Sequence, residues 1–186
     1  MDWIEKKITA KYGDDKILEQ CDALYRYWKV KRVFTFIPRV VVNTYLCARF
    51  PFLKFKKGFF QKSSRYWEIE PGWRKTFGIQ LCKELKWALK RANMLHDYHI
   101  TTVKDKFGAL NIYDEGAPEE VHDIINKYEY ISSRTCRECG RPAKYRTKLD
   151  DMPYWVEPYC EDCLKNFTNY PADEYYKDFD WYGWKK

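Results

Sequence analysis

Apolar positions first recur at helical spacing in Ile17, Leu18, Cys21, Leu24, Tyr25 and Trp28, with Asp14 and Asp15 ahead of them as cap and first-turn residues. The pattern predicts a helix over residues 15–32. Pro38 suits the first turn of a second helix, which carries Val41, Tyr45 and Leu46 toward a break at Pro51. Residues 54–65 read as a basic, aromatic loop. A second unit opens at Pro71 and Gly72. There Trp73, Phe77, Leu81, Leu85, Ala88, Leu89 and Ala92 share one side of an ideal helix, with Lys75, Lys83, Lys86 and Lys90 opposite. This predicts an amphipathic helix over about residues 72–93. Its apolar side calls for a cover, and a hairpin supplies one. Tyr98, Ile100, Thr102 and Val103 precede a Lys104 to Lys106 turn region, and Leu110, Ile112 and Tyr113 follow Gly108. Pro118, Glu119 and Glu120 then start a helix whose buried stripe is Val121, Ile124, Ile125 and Tyr128. The fold class expected is α+β in three regions. These are a basic, aromatic, helical stretch (1–66), a helix-hairpin-helix unit (67–132), and a cysteine module with an acidic aromatic tail (133–186).

Composition sharpens this picture where charge is concerned. The formal charge is +7, yet residues 23–67 hold no Asp or Glu and eleven Lys or Arg, so the rest of the chain is net acidic. Such segregation points to an anionic partner, a nucleic acid or a nucleoprotein. The residues assigned to that contact are Arg26, Lys29, Lys31, Arg32, Lys54, Lys56, Lys57, Lys62 and Arg65. Tyr27, Trp28, Phe55, Phe59, Phe60 and Tyr66 lie among them, and exposed rings there would stack on unpaired bases.

Seven cysteines accompany a start without the basic and apolar pattern of a secretory signal, so a cytoplasmic location with reduced thiols is expected. No apolar run is long enough to span a membrane, because Pro38, Arg39 and Arg49 interrupt the most hydrophobic region. Cys136-Arg-Glu-Cys139-Gly140 and Cys160-Glu-Asp-Cys163 form two C-x2-C pairs separated by 20 residues. That spacing predicts one structural zinc ion on Cys136, Cys139, Cys160 and Cys163, with no coordination position open to water. A helix starting near Leu164 would make the module treble-clef-like, and a second pair on a hairpin would make it a zinc ribbon. Cys21, Cys47 and Cys82 stand alone at apolar positions and read as core.

Catalytic signatures are missing: the chain has no glycine-rich phosphate loop, no G-x-S-x-G elbow and no H-E-x-x-H pair. His96, His99 and His122 all precede the cysteines and read as surface residues. A non-enzymatic binding protein is therefore expected. Two other readings stay open, a metal-dependent nuclease built on carboxylates such as Asp105, Glu115 and Asp150, and attachment of the Phe34 to Phe60 region to an anionic membrane surface.

Three motifs, Gly72-Trp73-Arg-Lys-Thr-Phe77-Gly78, Val103-Lys104-Asp105-Lys106-Phe107-Gly108 and the paired cysteines, occur together between Gly72 and Cys163. In this combination the chain resembles an uncharacterised family of tailed-phage proteins with a G-W-x-x-x-F-G helix, a V-K-E-K-F-G hairpin and a C-terminal paired-CxxC module. The likeness covers about half of the chain. It implies a phage or prophage origin and, by analogy, a protein that binds host nucleic acid or a host complex. The sharper expectation drawn from it is an inhibitor of a host RNA-guided defence nuclease, an anti-CRISPR type of protein.

Overall fold

The helical spacing read from the sequence is realised in a computed structural model that describes residues 2–18, 37–55, 60–149, 152–167 and 172–174. Helix α1 (Asp2–Tyr12), which the apolar pattern did not announce, ends at Gly13 with φ +79°, and residues 14–18 resume as helix with Ile17 fully buried. The rest of the predicted helix over 15–32 lies outside the described residues, as do Arg26, Lys29, Lys31 and Arg32. Helix α2 (Arg39–Arg49) is capped by Pro38 one position before the predicted first turn, and a single 3-10 turn (Pro51–Leu53) follows it.

The predicted amphipathic helix is a continuous helical run with an irregular start. Pro71–Trp73 is α-helical, Arg74–Gly78 is a π-helical turn, and helix α3 (Ile79–Arg91) completes it. At the π turn the buried Arg74 sends its guanidinium to the carbonyl oxygens of Trp67, at 3.0 Å, and Ile69. Ala92, assigned to the apolar stripe, is exposed. The helix has already ended there, with Asn93 at φ +56° and the Met94 amide donating to the Leu89 carbonyl at 2.8 Å.

Strands β1 (Ile100–Lys106) and β2 (Ala109–Asp114) pair antiparallel, with Val103 opposite Ile112 and Lys104 opposite Asn111. Lys104, Asp105 and Lys106 are therefore strand and not turn, because a two-residue loop of Phe107 and Gly108 suffices to reverse the chain. Helix α4 (Glu119–Ser132) packs across this hairpin and along α3, where Glu84 accepts hydrogen bonds from Lys127 and from the Tyr128 hydroxyl at 3.0 Å. The C-terminal region adds β3 (Tyr145–Leu149), β4 (Met152–Tyr159), helix α5 (Glu161–Phe167) and β5 (Ala172–Glu174), with sheet order β4-β3-β5, all antiparallel. The architecture is α+β, as expected.

One apolar cluster runs from Ile17 to Tyr128, on both sides of residue 66, and joins α2 to α3, α4 and the hairpin. Trp73, the largest fully buried side chain, satisfies its one donor by bonding from Nε1 to the Thr135 carbonyl at 2.9 Å. A separate small cluster surrounds the cysteines. Cys47 and Cys82 are core, burial pushing the Cys47 thiol up to about 11, while Cys21 lies outside the described residues. All three histidines are exposed. Among the described residues no helix is long and apolar enough to cross a membrane.

Leu81 is buried in the middle of this cluster while Lys83 faces water. Leu81→Ala is expected to cost about 2–5 kcal/mol of stability by leaving a cavity, and Lys83→Ala about 0.5 kcal/mol or less. Urea denaturation of the two variants checks this, and a Leu81→Ala midpoint equal to the parent's would contradict the face assignment.

Candidate metal centre

The two C-x2-C pairs meet. The ligand atoms of Cys136, Cys139, Cys160 and Cys163 all lie within 4.8 Å of one another, and all four are free thiols. Tetrahedral thiolate coordination at about 2.3 Å implies sulfurs roughly 3.8 Å apart, so this set fits one metal ion such as zinc. Local sequence explains the geometry. Gly140, at φ +80°, turns the first pair so that its amide bonds the Cys136 carbonyl at 3.0 Å, and the Cys136 amide bonds the Arg141 carbonyl at 2.8 Å. The second pair bridges the end of β4 and the first turn of α5, where the Leu164 amide bonds the Cys160 carbonyl at 2.9 Å. The helix thus begins at Glu161, inside the pair, earlier than the Leu164 start read from the sequence.

Electrostatics distinguish Cys136, Cys139 and Cys163. Burial raises Cys136 despite the amides of Cys139, Cys160 and Glu138 that favour its thiolate, and burial together with its donating to Cys139 and Cys160 raises Cys163. Cys139 is also penalised by burial, but the Arg141 side chain and amide outweigh this and bring it down to about 6. Four thiolates so close repel one another, and a divalent cation removes that cost by replacing protons.

The first cysteine pair is pressed against the start of the helical run. The Gly72 amide donates to the Arg137 carbonyl at 2.6 Å, and the Thr76 hydroxyl reaches the Gly140 carbonyl at 3.0 Å. A side chain on Gly72 would strike the Cys136 carbonyl and come within 2.6 Å of the Gly140 amide, and one on Gly140 would strike Thr76. Beside this contact Arg137, between the two cysteines, gathers three carboxylates from separate elements. Its guanidinium pairs with Glu70 at 2.8 Å, with Asp105 at 3.2 Å and with Glu157, which also accepts the Tyr159 hydroxyl at 2.8 Å. Burial disfavours the Arg137 charge, but Glu70, Glu157 and Asp105 raise its pKa. Asp105 is pushed up to about 7 by burial and by Glu70 and Glu157, against the pull of Arg137 and the Gly108 amide. Asp105, a candidate carboxylate of the nuclease alternative, is thus held by Arg137 and largely withdrawn from water. Glu115 is exposed, and Asp150 lies outside the described residues.

The residues assigned to an anionic partner are placed less completely. Lys62 is exposed, Lys54 and Arg65 are half-buried, and Lys56 and Lys57 lie outside the described residues with Phe59. Arg65 pairs with Glu68 at 2.8 Å and stacks over Phe55 at 4.1 Å. Phe55 and Phe60 are exposed, at 42% and 74%. Tyr66, grouped with them as a stacking ring, is fully buried and faces Gly78, so it cannot meet a base. The loop's return is fixed to α2 by buried polar residues: Asn43 donates to the Lys62 carbonyl at 2.6 Å, and Thr44 accepts the Gln61 amide at 3.2 Å.

No family model matches the chain, and neither a curated protein nor a solved structure does. Gly72, Asp105 and the first cysteine pair, far apart in the chain, meet at one place, Gly72 against Gly140 and Asp105 on Arg137.

Elemental analysis of protein purified without chelator is expected to give about one thiolate-preferring metal ion per chain, zinc foremost. Cys139→Ser or Cys160→Ser should lose it and melt far lower. Folded, metal-free parent protein would contradict the assignment. A second outcome concerns Asp105. Its folded pKa of about 7 stands above the roughly 3.9 of an unfolded chain, so between these values the folded state holds a proton the unfolded state has lost. Stability therefore falls as pH rises through that window, and the penalty is constant above it. Asp105→Asn is expected to gain on the parent progressively from about pH 5 to about pH 8, by on the order of 1–3 kcal/mol. Parallel stability curves for the two proteins would contradict this.

Proposed function

We propose that this chain is a non-enzymatic, phage-type zinc protein that binds RNA or an RNA-containing host complex, acting as an inhibitor of an RNA-guided defence nuclease. The observation that carries the reading is the surface around Phe55, Phe60, Lys62 and Arg65. There two exposed rings and cationic side chains share a loop whose return is anchored on α2. Rings with cations beside them stack on bases while lysines meet phosphates. The choice of a defence nuclease rests on the phage resemblance alone.

The metal is structural in this reading, since four sulfurs complete a tetrahedron and leave no site for an activated water. A short cysteine turn, the β3–β4 hairpin and a helix whose first turn holds Cys163 favour a treble-clef-like module over a zinc ribbon. Against the nuclease alternative, the carboxylates that do converge, Glu70, Asp105 and Glu157, surround the Arg137 guanidinium, which takes the place a cation would need.

Reversing Lys54, Lys56 and Lys57 to Glu is expected to weaken binding to a guide-RNA effector or free RNA, with unchanged melting temperature and a shallower salt dependence. Fluorescence anisotropy over a salt series measures both. Unchanged affinity and slope would remove this loop from the contact, and metal-dependent cleavage of labelled RNA by pure protein would overturn the non-enzymatic reading.

A further inference from the structure

Strand alternation divides the β1–β2 hairpin into two unlike faces. Val103, Asp105, Leu110 and Ile112 point one way, into the core or onto Arg137. Thr102, Lys104, Lys106, Asn111 and Tyr113 point the other way, since Thr102 pairs with Tyr113 and Lys104 with Asn111. This second face carries no carboxylate. Lys104 and Lys106 are both exposed, Tyr113 is 42% exposed, and among the described residues neither lysine has an ion pair.

At the tip stands Phe107, 44% exposed, with φ +54°. A two-residue turn with both residues at positive φ ordinarily takes Asn-Gly or Asp-Gly, and a bulky residue in the left-handed region is strained. Gly108 fills the second position at φ +74° and lies against the Val156 carbonyl and Pro158 of β4, which fixes the tip on the C-terminal sheet. The strained conformation is thus held from both sides, and its visible product is an aromatic ring presented at the end of a basic ribbon. The Lys106 ammonium lies 5.5 Å from that ring.

We propose that this face is a contact site for single-stranded RNA, resting on the RNA-binding reading above but separate from the 54–65 loop. Phe107 and Tyr113, about five strand residues and on the order of 16 Å apart, stack on separate bases. Lys104 and Lys106, between them, meet the intervening phosphates, and Asn111, whose Nδ2 donates to the Ala109 carbonyl at 3.2 Å, offers its Oδ1 to base edges. Charge complementarity and the alternation of rings with cations, which suits a regular succession of bases and phosphates, favour a single strand over an acidic protein surface.

The test uses the full chain and a fluorescein-labelled oligouridylate of about 12 nucleotides. Phe107→Asn separates binding from folding because it relieves the backbone strain: melting temperature is expected to hold or rise while affinity falls about tenfold. Lys104→Glu with Lys106→Glu should weaken binding further and flatten the salt dependence. If both hairpin variants bind like the parent while the Lys54, Lys56 and Lys57 reversal abolishes binding, the hairpin site is overturned and RNA binding stands. Absence of binding by the parent overturns both. An affinity loss that tracks a loss of melting temperature assigns Phe107 and its neighbours to folding and overturns the proposal.

Discussion

Two backbones touch where Gly72 meets Gly140 and Cys136, and that approach constrains the rest of the molecule. No side chain fits on either glycine, so the start of the helical run and the first cysteine turn sit at main-chain distance and share hydrogen bonds from Gly72 and Thr76. Because Trp73 and Phe77 of that run enter the main core, the contact places the cysteines at a fixed position on the core's edge. The Trp73 bond to Thr135 ties the same segment to the chain just before Cys136.

Arg137 makes the junction electrostatic as well as steric. Its neighbours come from the residue before the helical run, from the hairpin and from β4, so one guanidinium joins three elements that share no backbone hydrogen-bond ladder. Its planar fork suits several carboxylates at once in a way a lysine ammonium would not. Burial favours the proton on Asp105, and the excess of three acids over one cation adds to it through Glu70 and Glu157. Removing Arg137 would leave carboxylates half-buried without compensation, a costlier state than losing a surface ion pair.

The sequence was legible wherever one residue's neighbours in the chain decide its environment. Leu81, Leu85 and Leu89 at helical spacing, Val121, Ile125 and Tyr128 after Pro118, and the alternation around Val103 all fall where periodicity puts them. The cysteine set was legible because coordination imposes a spacing. What depends on contacts far apart in the chain was hidden. Nothing near Arg137 announces Glu70, Asp105 or Glu157, and Asp105 between two lysines reads as surface until its face of the strand is known. Strand β4 carries Pro153 and Pro158, which argue locally against a strand, and β5 has only three residues. The missed π turn reflects Arg74, whose burial is settled by the Trp67 and Ile69 carbonyls.

The same division between near and far alters what the basic composition means. The described arginines of the acid-free stretch are engaged with the protein itself: Arg49 with Glu5 and Asp14 of the N-terminal helical segment, Arg65 with Glu68 and Phe55, Arg39 over Trp67. Elsewhere Arg74, Arg91, Arg134, Arg137 and Arg141 likewise hold carbonyls, carboxylates, rings or a thiol. Lysines such as Lys62, Lys83, Lys90 and Lys104 face water. Among the described residues, positive charge open to a polyanion is therefore carried mainly by compact, hydrated ammonium groups, which meet phosphates without fixing a register. Any preference among bases has to come from side chains with a plane or an amide to offer, and the described surface offers exposed rings in Phe55, Phe60, Trp87, Phe107 and Tyr113.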